Sequence, residues 1–337
     1  LEKAGQSIVV IDQSKPFTAS KIAAGIINPV TGRRMVKTWM IEELLNFIKI
    51  EYRALESELG IQCLENTTVI DFFPSVQMRQ SFLKRQGEDD QFLQVTKEEN
   101  YWRNEFNYEL GWGSVSPAYL VDLPLLLSSY RNKLKQNKKL LEENFEIERL
   151  FVKNDGVQYK DIRSNKIIFC DGIESANNHY FKNLPFAPNK GEALIIETSP
   201  LSSGFVFKKG ISIVHWEKDK YWVGSSYEWE FSDDLPTKEF RERTEYLLGQ
   251  WLRHPFKIID HVASIRPATL ERRPFVGFHP QHTNLGILNG MGTKGCTLGP
   301  YFAKQLADHI TSNKPLMKEA DIYRFKGILT RPPGSGH

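Results

Sequence analysis

Cysteine is scarce and scattered. Cys63, Cys170 and Cys296 are the only three in 337 residues, with neither an even number for a disulfide framework nor the short spacing of a metal-binding loop. Such usage points to a reducing compartment, so a cytoplasmic protein is expected, with each thiol a small core residue. Long apolar runs are also missing. The longest candidate, residues 120–127, contains Asp122 and Pro124 and falls well short of the ~18 residues a membrane span needs. No membrane partner is expected. Charge is nearly balanced at +3, which neither argues for nor excludes a nucleic-acid partner. The eight histidines have no zinc-like spacing. No Ser-His-Asp or Cys-His set is visible, so the chain carries no evident nucleophile and no metal site.

The chain has the composition of an ordinary globular protein. A prior of about 150 residues per domain gives two domains or one large one. Aromatics reach 12%, enough to line concave pockets. Residues 1–6 read as the last turn of a helix stopped by Gly5, so the chain begins inside an element. Ser7 to Asp12 is a continuous apolar run ending in an acid, as in a buried parallel strand. Residues 38–59 have helical periodicity and stop at Gly60. Strands with one short helix fit 61–116, and a second helix fits 118–134. Three short strands are expected over 145–171, ending in the apolar run 166–170. Residues 192–229 alternate and are aromatic-rich, which predicts an antiparallel sheet. A helix over 236–252 starts near Asp233 or Asp234. Short strands at 258–266, 274–278 and 284–289 precede a glycine-rich turn and a helix to about 310. The resulting expectation is an α/β protein. A discontinuous, Rossmann-like domain (1–60, 118–186, 260–325) carries an inserted antiparallel-sheet domain (61–117, 187–259), and 326–337 is a tail.

Several short motifs could carry chemistry. Asp12 at a strand end suits a ribose-binding acid or a turn former. The glycine-rich loop that normally lies about 20 residues upstream of such an acid has no room in the 11 residues before Asp12. Ala23-Ala-Gly-Ile-Ile-Asn-Pro29 is a small-residue stretch that would let backbone approach a flat ligand or simply pack a turn. Phe169-Cys-Asp-Gly172 ends a buried strand with an acid and a glycine. Ile265-Arg-Pro267 places a planar cation beside a turn, where it could fork onto a carboxylate. Asn289-Gly-Met-Gly-Thr-Lys-Gly295 precedes an apolar helix, so its backbone N–H groups would converge on negative charge. A phosphate-binding loop is the rival reading there, although Cys296 follows Gly295 where a Walker loop needs lysine. The basic run at residues 131–139 is a solvated helix end or a nucleic-acid patch.

Taken in order, these pieces resemble the FAD-dependent oxidoreductases of the D-amino-acid oxidase family, which includes glycine and sarcosine oxidases. The likeness spans residues 1 to about 312. It rests chiefly on Ser264-Ile-Arg-Pro267, Arg273-Pro-Phe-Val-Gly277, Asn284-Leu-Gly-Ile and the turn Gly290 to Gly295. Lys190-Gly-Glu192 is similar to the family's entry into its substrate sheet, and Val223-Gly-Ser-Ser226 to a strand end of that sheet. The resemblance implies non-covalent FAD, with Asp12 on the ribose, Ser20, Ala24 and Gly25 along the flavin, and Gly172 close by. Gly290, Gly292, Thr293, Lys294 and Gly295 would face the ring. Arg266 would hold a substrate carboxylate, with Tyr119, Trp216 and Tyr227 as pocket walls. The implied reaction moves hydride from the carbon beside an amine nitrogen to flavin N5, followed by imine hydrolysis. Oxygen or another acceptor takes the electrons. Two other readings remain: a flavin-free or truncated binding module of the same fold, and a tRNA-modifying oxidase acting on a carboxymethylaminomethyl uridine. The family's first strand and phosphate loop are expected upstream of residue 1.

Overall fold

The computed structural model describes residues 1–331 except 90, 97 and 99. The chain divides into two compact units, each assembled from separated stretches. Leu1–Ala19, Ser128–Asn189 and the chain from Ile265 form the first, while Ser20–Leu127 and Lys190–Ser264 form the second. Residues 20–60 and 118–127, expected with the cofactor domain, thus group with the sheet unit. The reason is strand pairing: Ile26–Ile27 hydrogen-bonds to Tyr119 and Leu120 in the strand Trp112–Val121.

In the first unit, two pairs of the described strands run parallel. Val10–Ile11 lies along Leu140–Leu141, and Ile167–Phe169 lies along Leu285–Asn289. The latter strand also pairs antiparallel with Phe275–Phe278. A separate antiparallel meander comprises Leu150–Lys153, Gly156–Tyr159 and Ile162–Ser164, so residues 145–171 hold four strands rather than three. Apolar side chains from these strands meet in one core with Phe169, Phe181, Phe275, Ile287 and Ile322. The long helix Gly295–Ser312 buries Leu298, Phe302 and Leu306 at four-residue spacing, which puts them on one face. The expected tail starts later than residue 326. Lys326–Leu329 is helical and Leu329 joins the core, while residues 332–337 lie outside the described residues.

The second unit is built on a nine-stranded sheet. Most of its pairings are antiparallel, as the alternation predicts, but Phe205–Lys209 runs parallel to Leu64–Phe72. Parallel neighbours need a long crossover, and here the chain leaves the sheet and passes through the other unit before returning. The helix Ile41–Leu59 buries Ile41, Leu44, Leu45, Ile48 and Tyr52 along one stripe and ends at Gly60 with φ 67°. Residues 118–121 extend a strand rather than opening a helix, because the helix signal begins at Asp122. Its carboxylate accepts the Leu125 N–H at 2.9 Å, and Leu123–Gln136 follows. Likewise Lys238–Trp251 starts two residues later than expected, where the Thr237 hydroxyl accepts the Phe240 N–H. Of the thiols, only Cys63 is a core residue, and burial pushes it up to about 11; Cys170 is exposed and Cys296 half-buried.

Candidate cofactor and substrate site

The first unit brings two of the sequence motifs into direct contact. The strand Phe256–Arg266 ends at Arg266, and the chain turns at Pro267. This turn is held from both sides. The Ala187 N–H donates to the Ala268 carbonyl at 2.8 Å, and the Gly292 N–H donates to the Pro267 carbonyl at 3.2 Å. The glycines at 290 and 292 are required for that approach. Both adopt positive φ, 76° and 55°, which side chains resist. A Cβ on Gly290 would also lie 2.6 Å from the Thr269 methyl. Beyond the turn, the helix Gly295–Ser312 begins without a side-chain cap. Its first-turn N–H groups therefore carry the partial positive charge of an open helix end. Burial pushes the Lys294 ammonium down, with Arg272 and Arg273 adding to the effect. The region is cationic and anion-seeking.

A second cluster closes the same end of the parallel strands. The buried Asn289 donates from Nδ2 to the Gly172 carbonyl at 2.8 Å and to Ser175 Oγ at 3.0 Å, and its Oδ1 accepts the Gly290 N–H. One side chain thus fixes the exits of both strands. Gly172 has φ 63°, and open space lies where its side chain would be. The Asp171 carboxyl accepts the Ser175 hydroxyl. Burial pushes Asp171 up, against that hydrogen bond, which opposes negative charge at this strand end. Open glycines, an uncapped helix start and a cationic turn around the carboxyl ends of parallel strands fit an anionic dinucleotide.

Asp12 is exposed just past Val10–Ile11. Its Oδ1 accepts the Ser14 N–H at 2.8 Å and pairs with Arg131, which also pairs with Glu142. Lys135 also pairs with Glu142, and Lys139 with Glu2. These pairings give part of the 131–139 run the character of a solvated helix end.

The second unit carries the other predicted residues. Gly25 has φ 73°, and a Cβ there would sit 2.0 Å from the Val121 carbonyl oxygen. Its own carbonyl accepts the Val121 N–H. Ala24 is half-buried and Ser20 exposed, and the Trp222 indole N–H donates to the nearby Ile22 carbonyl. Tyr119 is buried in the sheet with the Lys49 ammonium 5.8 Å over its ring, so it presents little wall. Trp216 and Tyr227 lie toward opposite ends of one hairpin. Trp216 precedes the turn between Ile211–Glu217 and Lys220–Gly224, and Tyr227 follows the far end at Gly224. Tyr227 is half exposed against Trp229. Next to Tyr227, Glu228 exchanges backbone hydrogen bonds with Lys190. Lys190 is buried, 3.8 Å from Glu192 and 3.5 Å from Asp233. His261 Nε2 lies 2.9 Å from Glu192, and burial pushes this imidazole down while the carboxylate opposes the shift.

A family model described as FAD dependent oxidoreductase matches residues 1–309. The chain belongs to this family. A glycine oxidase of Pseudomonas aeruginosa is 25% identical over 227 residues, which are 63% of this chain and 62% of that protein. The match therefore spans less than two-thirds of that relative's length. Two solved structures share the fold. Glycine oxidase from Geobacillus kaustophilus superposes with a TM-score of 0.77 at 16% identity, covering 97% of this chain and 92% of that one. Iminodiacetate oxidase from Chelativorans sp. BNC1 gives 0.75 at 18% identity, covering 95% and 94%. The α/β fold with its large sheet is thus that of FAD-dependent oxidoreductases. Among the described residues, no group of three or more His, Cys, Asp or Glu side chains is arranged to hold a metal, and no helix is long and apolar enough to cross a membrane.

Two residues of the candidate site escape a reading of the sequence. Asn289 was visible only as part of the glycine-turn motif, and its bridging role needs the pairing of distant strands. Asn189 sits one residue before Lys190-Gly-Glu192 and is completely buried, its Oδ1 accepting from Arg266 Nη1 at 2.8 Å. No local pattern marks it.

Proposed function

We propose that this protein oxidises a small amine or amino acid bearing a carboxylate, using non-covalently bound FAD. The observation that carries the reading is the hydrogen bond from Gly292 to Pro267. It sets a half-buried arginine, a binder of carboxylates, against a glycine turn and open helix end that attract an anionic cofactor. FAD, when bound, supplies a two-electron acceptor for the hydride on the carbon beside the amine nitrogen. Arg266 forks onto the substrate carboxylate and fixes that carbon in place. Loss of that hydride from a neutral amine would leave an iminium, its C=N bond drawn from the nitrogen lone pair, and water would hydrolyse it to a carbonyl and an ammonium. Oxygen or another acceptor takes the electrons. The first-turn N–H groups of Gly295–Ser312 and the Lys294 ammonium would stabilise the negative charge that a bound flavin gains on reduction. Asp12 would take the ribose through the carboxylate oxygen not engaged by Ser14. Positioning supplies much of the catalysis, and no general base from the chain is assigned.

The test is the visible spectrum of the full chain after FAD addition and desalting, followed by anaerobic mixing with glycine, sarcosine, iminodiacetate and methylamine. The expected result is retained flavin bands that bleach with one or more of the carboxylate-bearing amines and not with methylamine. Arg266→Ala should raise KM for the bleaching substrate at least about 30-fold, as the loss of a charge-assisted contact worth about 2–5 kcal/mol requires. It should leave FAD retention intact. A colourless protein, or bleaching equal with methylamine, would overturn the proposal.

A further inference from the structure

Asn189 makes a choice that stability alone does not explain. Its side chain is fully buried at the start of the strand Asn189–Thr198, and its Nδ2 has no hydrogen-bond partner among the described residues. The usual remedy, turning the amide over, is not open to it. A guanidinium only donates hydrogen bonds, so the amide group facing Arg266 Nη1 at 2.8 Å must be the oxygen. The NH2 group then points away into a place without an acceptor. An unpaired buried donor is destabilising. The position therefore carries a neutral acceptor for Arg266 at the expense of a buried, unsatisfied donor.

The neutrality of that acceptor matters. A carboxylate at 189 would hold Arg266 equally well but would cancel the charge a substrate carboxylate must find. An apolar residue would remove this acceptor from the guanidinium. The amide oxygen does neither: it occupies one N–H, restricts the plane of the fork and leaves the formal charge whole. The backbone completes the restraint, because the residues that follow Arg266 are pinned between Ala187 and Gly292.

We propose that Asn189 is a positioning residue for Arg266. It sets the guanidinium plane for a ligand carboxylate and so tunes selection for carboxylate-bearing substrates over neutral ones. The inference rests on the reading of Arg266 as the carboxylate holder.

Full-length, FAD-loaded protein and its Asn189→Leu, Asn189→Asp and Arg266→Ala variants test it. Acetate and acetamide serve as inert probes, read by their perturbation of the flavin spectrum. KM for the bleaching amino acid and thermal unfolding are measured alongside. The expected result is that Asn189→Leu and Asn189→Asp weaken acetate binding and raise KM about tenfold to a hundredfold, the range for one hydrogen bond to a charged group. Acetamide binding should stay unchanged, and Asn189→Asp, which keeps an acceptor for Arg266, should not unfold at a lower temperature than the parent. A structural role predicts the reverse: lower unfolding temperature with unchanged acetate binding and KM. That result would overturn the inference. So would acetate binding that is lost in Arg266→Ala but kept in both Asn189 variants. Acetate binding that survives Arg266→Ala would instead overturn the underlying reading of Arg266. If Asn189→Leu fails to fold, Asn189→Asp decides, because it keeps the contact and removes only the net charge.

Discussion

The glycine turn of the first unit and the aromatic sheet of the second differ in how far local sequence fixes their geometry. At the turn, backbone sets the geometry. Gly290 and Gly292 hold positive φ, Gly292 bonds to Pro267, and Asn289 ties two strand exits together. In the sheet, the candidates are side chains on alternating strands, and their positions follow from register. Register put Tyr119 inside and sent Trp216 and Tyr227 toward opposite ends of a hairpin. Glycines in a turn constrain local geometry by themselves, whereas an aromatic residue in a strand means nothing until its neighbour strands are known.

Acid should separate the two units most strongly. In the first unit, burial and then His282 push the His279 imidazole down to about 4. In the second, burial pushes His261 down while Glu192 opposes it. A histidine with a lowered folded pKa leaves stability complete above its unfolded value near 6.5 and withdraws it as pH falls toward the folded value. For His279 that loss is about 3 kcal/mol between roughly pH 6.5 and pH 4. His279→Asn should flatten the acid limb of a denaturant-unfolding series, since Asn can still accept the Gln281 N–H that Nδ1 accepts. His261→Asn should flatten it less. Equal effects would remove this distinction between the units.

Glycine substitutions probe the contrast at the next level. Gly25→Ala forces a Cβ to within 2.0 Å of the Val121 carbonyl oxygen, and Gly290→Ala to within 2.6 Å of a methyl. Carbonyl backbone yields less readily than a methyl, so Gly25→Ala should be the more damaging. Overpacking of this kind costs about 1–3 kcal/mol, readable as a shift in urea midpoint. A larger loss at Gly290 would show that the first unit is the stiffer of the two.

The smallest effect concerns the aromatics. Tyr227→Ala should change KM a few-fold, because Tyr227 adjoins the Glu228–Lys190 bridge and Lys190 follows Asn189 in the chain. Trp216→Ala, at the other end of the hairpin, should leave KM within about twofold. Steady-state kinetics on both variants decide the matter. An effect at Trp216 as large as at Tyr227 would restore the sheet to equal standing.

Much of the fold was legible. The turn at Gly5, the helix ending at Gly60 and the final helix after Gly295 carry their own start or stop signals. Where boundaries slipped, a cap or a pairing partner decided. Asp122 moved the start of Leu123–Gln136, Thr237 that of Lys238–Trp251, and Leu329 was claimed by a core that the sequence does not announce. Arg266, Gly290 and Gly292 were legible because a cation beside a turn and a run of glycines are local facts. Asn189 and Asn289 were not, since each works through a partner far away in the chain.

The bond between Gly292 and Pro267 has a thermodynamic corollary. Cofactor and substrate would bind to opposite flanks of one hydrogen-bonded unit, so ordering either flank stiffens the other. If FAD tightens the grip on an amino acid by some factor, the amino acid must tighten the grip on FAD by the same factor. The coupling is then one quantity seen from two sides, and a weakly held cofactor would be retained best in the presence of its own substrate.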